Sequence, residues 1–232
     1  MPLTKSQVMT LLKENQNARG IAHWKKKPRP LKSYGIGLTQ LRKLAKQIGK
    51  DHKLAGQLWK SDYYDARVIS LLIDDPKQVT REQAERQVEE LSAGMLAHVF
   101  ASCDATLAKT PFAFDLACDW MNSQDEVRRR CGYSLLYELS KKNPRGMDDD
   151  FLLERIEHIR KSIHDEEMWV RESMLTTLMG VGKRNKKLNK AAVRAAKAIG
   201  PVDIDYGDDN NCEPLDVLKH LTSDYIKQKL GT

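Results

Sequence analysis

The chain has 232 residues, which is long enough for one large domain with a buried core. Its 39 lysines and arginines exceed its 32 aspartates and glutamates, and the resulting net charge of +7 favours a polyanionic partner, either nucleic acid or an anionic membrane. No apolar run approaches the roughly 18 residues that cross a bilayer, and residues 1–7 lack the apolar core of a signal peptide. We therefore expect a cytoplasmic protein without a membrane-spanning segment, and both polyanionic partners stay open at this point.

The cysteines are widely spaced, without a Cys-x-x-Cys pair or a nearby pair of histidines. They are Cys103, Cys118, Cys131 and Cys212. This spacing argues against a zinc site and predicts reduced, mostly buried thiols.

The amino-terminal part of the chain predicts one helix followed by a basic loop. An apolar stripe indicates a helix over residues 5–17, and Gly20 is expected to break it. Prolines and glycines over residues 23–37 exclude a regular helix. The cations of this loop are Lys25, Lys26, Lys27 and Arg29. The loop is either a contact to DNA phosphates or a solubilising linker.

Apolar stripes of helical period continue through the middle of the chain. We predict helices over residues 39–49, 54–59, 62–73, 81–91 and 110–121. Thr39 is expected to cap the first of them, and Pro111 stands near the first position of the last. Methionine and aromatic residues at 95–104 are typical of a core, and His98 has no second ligand one turn away.

Residues 125–136 place three consecutive arginines on an amphipathic helix. Val127, Cys131, Leu135 and Leu139 recur every fourth residue and form its apolar stripe. The three arginines are expected to spread over the remaining surface of the helix.

A similar stretch begins at Asp165, and a weaker echo over residues 62–72 precedes both. Val170 follows Val127 by 43 residues. Repeats of about 40 to 47 residues, each built from a helix pair, are typical of HEAT-like solenoids. We therefore predict an all-α, HEAT-like helical repeat solenoid that forms a single domain over residues 1–232.

The carboxyl-terminal part contains a second basic cluster. Five basic residues and no acid lie between positions 183 and 190, which favours contact with phosphates. An alanine-rich helix over residues 191–199, an acidic loop over 203–216 and a short closing helix from about 215 to 226 are expected next. The acidic loop does not match the EF-hand spacing, and the sequence shows no Walker loop, dinucleotide fingerprint, zinc-protease motif or nucleophile elbow. We expect no metal and no cofactor.

Several stretches of the chain together carry a family resemblance. They are residues 34–46, 58–59, 66–67, 110–113, 130–133 and 182–185. In order and spacing they resemble the AlkD-like DNA alkylation repair family, over about residues 34–200. The resemblance implies an all-helical HEAT-like solenoid that excises cationic N3- or N7-alkylated purines from duplex DNA.

The resemblance also implies a catalytic site. The family pairs a tryptophan with an aspartate four residues later, and adds an arginine and a second tryptophan from later repeats. Arg130 matches the arginine, whereas the second tryptophan position falls on Thr176, with Trp169 seven residues earlier. Counting back without gaps from residues 110–113 places Leu96 and Phe100 at the first pair.

A four-residue shift instead gives the first pair as Phe100 and Asp104. We therefore expect Asp104 as the carboxylate, Arg130 on a phosphate and Phe100 as an aromatic wall. Excision develops positive charge on the sugar, so loss of the carboxylate is expected to abolish it almost completely. The DNA contacts expected from the basic clusters are Lys25, Lys26, Lys27, Arg29, Arg128, Arg171, Lys183, Arg184, Lys186 and Lys187.

Two functions follow from these observations. The first is a monomeric glycosylase that excises alkylated purines from duplex DNA. The second is a non-catalytic scaffold that binds DNA, or some other anionic partner, and that has kept the basic face and lost the chemistry. We expect no membrane as a partner.

Overall fold

The computed structural model describes residues 3–91, 94–142, 144, 146–206 and 213–231. These residues form helices joined by loops, so the predicted all-α class is confirmed. The chain divides into two compact units, Met1–Phe112 and Ala113–Thr232. The single domain expected over the whole chain stays a prediction. Within the described residues, no helix is both long and apolar enough to cross a membrane.

Unit 1 is built around a buried central helix. Its helices are α1 (Lys5–Glu14), α2 (Ala18–Trp24), α3 (Leu38–Ile48), α4 (His52–Trp59), α5 (Tyr64–Ile73), α6 (Arg81–Val88) and α7 (Leu96–Ala101), followed by a 3₁₀ helix over Leu107–Lys109. Helix α5 packs against α1, α3, α4 and α7. Ala66, Val68 and Ile69 are completely buried along it, so α5 forms the core of the unit.

Short polar side chains fix where several of these helices begin. Thr4 and Gln7 form a reciprocal capping box at α1, and Asp51 and Thr80 cap α4 and α6. The predicted cap of α3 was wrong, because the helix begins after Gly37 and Thr39 lies inside its first turn.

Gly20 does not break a helix but lies inside α2, which corrects the prediction. The Asn17 side chain caps α2 by accepting a hydrogen bond of 2.8 Å from the Gly20 amide. A Cβ atom on Gly20 would lie 2.0 Å from the carbonyl oxygen of Gly35. The position therefore needs glycine because the basic loop passes directly over the helix.

The basic loop is held to unit 1 by a buried carboxylate. Asp65 of α5 is completely buried, and it accepts hydrogen bonds from the Ser33 hydroxyl at 2.9 Å, the Tyr34 amide at 2.7 Å and the Ile36 amide at 3.1 Å. The loop therefore has a fixed path. Its predicted start at residue 23 is corrected, because residues 23 and 24 belong to α2.

Unit 2 is also organised around central helices. Its helices are α8 (Ala113–Met121), α9 (Glu126–Ser140), α10 (Asp149–Ser162), α11 (Met168–Gly182), α12 (Lys186–Ile199), α13 (Val217–Leu221) and α14 (Asp224–Leu230), with a 3₁₀ helix over Ile163–Asp165. Helix α9 packs against α8 on one side and α11 on the other. All its residues from 131 to 136 are buried, so α9 is a core helix along most of its length.

Two glycines of α11, Gly180 and Gly182, allow close packing against neighbouring side chains. A Cβ atom on Gly180 would lie 2.5 Å from the Tyr137 ring, and one on Gly182 would lie 2.8 Å from Leu221. The next helix begins at Lys186 and not at residue 191, because Asn185 caps it.

Four further expectations need correction, are met in part, or lie partly outside the described residues. Pro111 precedes α8 by two residues, and the predicted closing helix is two helices, α13 and α14. Residues 207–212 of the acidic loop, with Cys212, lie outside the described residues. Cys131 is buried as expected, whereas Cys103 and Cys118 are half-buried.

Candidate nucleic-acid interface

Arg129, the second of the three arginines in α9, is a structural residue. Its Nε lies 2.9 Å from Oε2 of Glu166, and its Nη2 lies 2.6 Å from Oε2 of Glu167. Its Nη1 donates to the carbonyl oxygens of Ser123 at 3.0 Å and Gln124 at 2.8 Å. Burial lowers the pKa of Arg129, but the hydrogen bond and charge of Glu166 outweigh that effect and raise it. Arg129 therefore fixes the start of α9 to the segment before α11.

Arg130 forms a cation–π contact with an exposed tryptophan. Its guanidinium carbon lies 4.6 Å from the centre of the Trp169 ring, and 41% of Trp169 is exposed. The ring of Tyr206 lies on Trp169 at 6.0 Å between centres, tilted by 54°. Burial lowers the pKa of the Arg130 guanidinium, and the negative charge of Glu172 opposes that effect. The arrangement gives unit 2 an accessible aromatic surface beside a cation.

Glu172 stands one turn after Trp169 on α11 and was missed by the sequence analysis. The spacing of Trp169 and Glu172 could have pointed to it, because residues three apart on a helix lie on the same face. The side chain is half-buried. Burial raises the pKa of Glu172, and the charge of Arg130 holds that rise back. Thr176, at the family's second tryptophan position, donates its hydroxyl to the Glu172 carbonyl oxygen at 3.0 Å.

The other two predicted DNA contacts near this surface are partly engaged within the protein. Arg171 donates from Nε to the Glu166 carbonyl oxygen at 2.6 Å, and Arg128 lies 4.0 Å from Asp125. Both side chains are half-buried. Their contacts with DNA stay predictions.

The predicted carboxylate and aromatic wall lie in unit 1. Phe100 is 3% exposed and Leu96 is completely buried, so both are core residues of that unit. The burial of Phe100 argues against an aromatic wall at that position, because its ring faces the protein interior. Asp104 has 82% of its side chain exposed, and its Oδ2 lies 3.0 Å from Nζ of Lys109. The pairing partner of Asp104 is therefore a lysine of its own unit.

The basic loop presents some of its cations to solvent. Lys25, Lys26 and Lys27 are exposed. Arg29 instead lies over the Trp24 ring at 4.3 Å, and the Trp24 indole donates to the Leu31 carbonyl oxygen at 2.8 Å.

The second basic cluster separates into structural and accessible cations. The Nη1 atom of Arg184 donates to the carbonyl oxygens of Ser140 at 2.9 Å and Lys142 at 2.6 Å, so Arg184 closes the end of α9. Lys187 pairs with Asp150 at 3.2 Å. Lys183 is half-buried, and its pKa is lowered by burial and by Lys229, whereas Lys186 is exposed.

A cavity of about 770 Å³ lies beside this cluster, at the carboxyl ends of α9 and α11. Its cationic lining consists of Lys141, Lys142, Lys183, Arg184 and Lys229. Such a surface attracts phosphate groups.

Comparison with known proteins identifies the family. The sequence model of a family described as DNA alkylation repair enzyme matches residues 7–206. The chain belongs to this family. The resemblance to a DNA alkylation repair family that the sequence indicated is therefore confirmed.

Two similar relatives come from Listeria. The uncharacterized protein Lin0241 of Listeria innocua is 25% identical over 203 residues, and the uncharacterized protein Lmo0209 of Listeria monocytogenes is 26% identical over 204 residues. Each alignment covers 84% of this chain and 84% of the relative.

A solved structure resembles the fold over nearly the whole chain. It is described as a new family of proteins related to the HEAT-like repeat DNA glycosylases with affinity for branched DNA structures. The TM-score is 0.83 at 22% identity, with 99% of this chain and 97% of that chain covered. The likeness confirms the predicted HEAT-like helical repeat fold for this member of the DNA alkylation repair enzyme family.

Proposed function

We propose that this protein binds DNA through unit 2 and that Trp169 stacks on a base that is not covered by its neighbours. The contact between Arg130 and the exposed Trp169 ring carries the proposal. An aromatic face beside a cation suits both parts of a nucleotide, because the ring stacks on the base and the cation attracts the phosphate. The excess of basic residues in the chain supports the same partner.

Branched DNA is the form of DNA that we expect to bind most tightly. Junctions offer base faces at the branch point that a continuous duplex keeps stacked. The solved relative's description includes affinity for branched DNA structures, which supports this choice. Monomeric state and cytoplasmic location stay predictions.

The geometry favours binding without excision by Asp104. Stabilising a positive sugar requires a carboxylate that is fixed and shielded from water, because water and a neighbouring cation both weaken its field. Asp104 is mostly exposed and pairs with Lys109. Of the two functions expected from the sequence, the DNA-binding scaffold is therefore our first choice.

Excision by a different carboxylate is the second candidate function. Glu172 is half-buried, lies one turn from Trp169 and experiences the positive charge of Arg130. A carboxylate, an aromatic ring and an arginine on one unit supply the residue types that excision of a cationic purine needs.

A binding assay tests the first proposal. Dissociation constants are measured for a four-way junction, a duplex and a single strand at one salt concentration. Trp169→Ala is expected to weaken junction binding by about 1 to 3 kcal/mol, or about 5- to 150-fold, because one stacked base is lost. Tyr225→Ala is the matched control, since Tyr225 is 71% exposed on α14. The proposal would be contradicted if both variants lost affinity equally, or if Trp169→Ala lost no affinity.

Single-turnover release of an N3- or N7-alkylated purine from duplex DNA decides whether excision occurs. We expect no release by the wild type. Release that falls by roughly 100-fold or more in Asp104→Asn would restore the carboxylate predicted from the sequence. The same fall in Glu172→Gln, with Asp104→Asn unaffected, would establish the second candidate.

A further inference from the structure

Unit 1 contains a cation-lined cavity that the proposed DNA-binding surface does not use. Its volume is about 500 Å³, and its charged lining consists of Arg42, Lys46, Lys50, Lys109 and Asp104. Asp104 already pairs with Lys109. The three remaining cations make the cavity electropositive, which favours a small anion.

The cations are crowded in this cavity. Lys50 donates from Nζ to the carbonyl oxygens of Leu72 at 3.0 Å and Asp74 at 2.7 Å and to the Thr106 hydroxyl at 3.2 Å. Burial lowers the pKa of Lys50 and the charge of Lys109 lowers it further, whereas the charges of Asp74, Asp75 and Asp104 oppose both effects. An anion in the cavity would weaken the repulsion between Lys50 and Lys109.

A cysteine of this cavity contacts a histidine. Cys103 is one of the lining residues. Its Sγ lies 2.6 Å from Nε2 of His98. Cys103 is half-buried and not in a disulfide. An imidazole at this distance can take the thiol proton, and the resulting thiolate is the nucleophilic form of cysteine.

The backbone holds the thiol in this position. Cys103 and Asp104 have φ angles of 54° and 64°, which non-glycine residues rarely adopt. Arg42 donates from Nη2 to the Cys103 carbonyl oxygen at 3.2 Å, and the pair of Asp104 with Lys109 secures the next residue. The costly conformation is thus maintained by the same cations that line the cavity.

The other described cysteines have different surroundings. Burial and the charge of Asp115 raise the pKa of Cys118, and burial raises that of Cys131 to about 12. Both changes disfavour the thiolate. Cys118 is half-buried like Cys103, which makes it an internal control.

We propose that Cys103 is a nucleophilic thiol with His98 as its proton acceptor, and that the cavity selects small electrophiles that carry a negative charge. With iodoacetate, Sγ attacks the methylene carbon, the S–C bond forms and the C–I bond breaks. Iodide leaves with the electron pair, and the thiol proton passes to Nε2 of His98. The proposal does not depend on DNA binding.

The test compares two reagents that differ in charge. The full chain with Cys212→Ser is treated with iodoacetate or with neutral iodoacetamide, and adducts at each cysteine are quantified by mass spectrometry. We expect Cys103 to react with iodoacetate about tenfold faster than Cys118, with a smaller advantage for iodoacetamide. Equal rates at the two cysteines with both reagents would overturn the proposal.

Two variants separate the roles of the imidazole and the cations. His98→Gln is expected to slow both reagents at Cys103. Lys46→Glu reverses an exposed charge of the cavity, so it should slow iodoacetate and leave iodoacetamide unchanged. If His98→Gln alters folding, Lys46→Glu remains decisive, and an unchanged ratio of the two reagents in that variant would refute the selectivity.

Discussion

Arg129 Nε lies 2.9 Å from Glu166 Oε2, an ion pair that joins the first turn of α9 to the segment just before α11. The two side chains are only 16% and 12% exposed. Arg130, the residue after Arg129, instead contacts the exposed Trp169 ring. Consecutive arginines thus serve different purposes, one in stability and the other in the candidate DNA surface.

Arg129→Met should destabilise the protein by about 3 kcal/mol, because Glu166 would be left mostly buried without its partner. Arg130→Met should cost less stability and weaken DNA binding instead. Urea denaturation and junction binding measured on both variants check this division. A reversed order of the two stability losses would contradict it.

Lys183→Ala and Lys186→Ala should each lower the slope of log affinity against log salt by about 0.9, if each lysine neutralises one phosphate. Lys187→Ala is the matched control and should have a smaller effect, because that lysine pairs with Asp150. Arg184→Ala should reduce stability, since Arg184 binds carbonyl oxygens at the end of α9. Salt titrations of duplex binding measure the slopes, and equal slopes for wild type and Lys183→Ala would remove that residue from the interface.

Gly132→Ala should destabilise the protein by about 1 to 3 kcal/mol, because the added Cβ would lie 2.6 Å from the Met121 backbone nitrogen. Gly56→Ala is the counterpart on the exposed side of α4, where a Cβ meets nothing within 4 Å. That variant should gain about 0.4 to 1 kcal/mol through helix propensity. The measurement is the free energy of unfolding of both variants. An unchanged value in Gly132→Ala would show that α8 and α9 can move apart at little cost.

Stability should fall as the pH drops below about 6.5, in part because of His158. Burial lowers the pKa of His158, and the charge of Arg155 lowers it further. The unfolded chain therefore binds a proton at a pH where the folded chain does not, which favours unfolding in that range. Unfolding free energies at pH 7.5 and 5.5 should differ more for the wild type than for His158→Gln. Identical pH dependence of the two proteins would exclude this histidine as a source.

The helices were predictable because their signals are local. Apolar residues at helical spacing identified α9 and α11, whose relation as repeats suggested the solenoid. The roles of Gly20 and Gly180 were not predictable, because each is explained by a neighbouring segment that approaches closely. Local sequence shows a glycine and cannot distinguish a helix break from a close contact.

Of the candidate site, only features that depend on the local sequence of one helix could be predicted. The motif predicts Arg130 as a site residue, which stays a prediction, whereas its contact with Trp169 depends on the packing of α9 against α11. The pairing of Asp104 with Lys109 depends on two successive residues with positive φ, which no residue type at those positions indicates.

The three hydrogen bonds that Asp65 accepts all come from residues 33–36, a segment that a shortened protein beginning at α3 would lack. Such a protein would lose three hydrogen-bond donors to a carboxylate that is completely buried in the full chain, and that loss is destabilising. Residues 33–36 are therefore part of the folding unit, and a deletion that includes them would lower stability as well as remove any DNA contact of this region. Lys25, Lys26 and Lys27 are exposed, so single substitutions at these residues would test DNA contacts without removing the donors to Asp65.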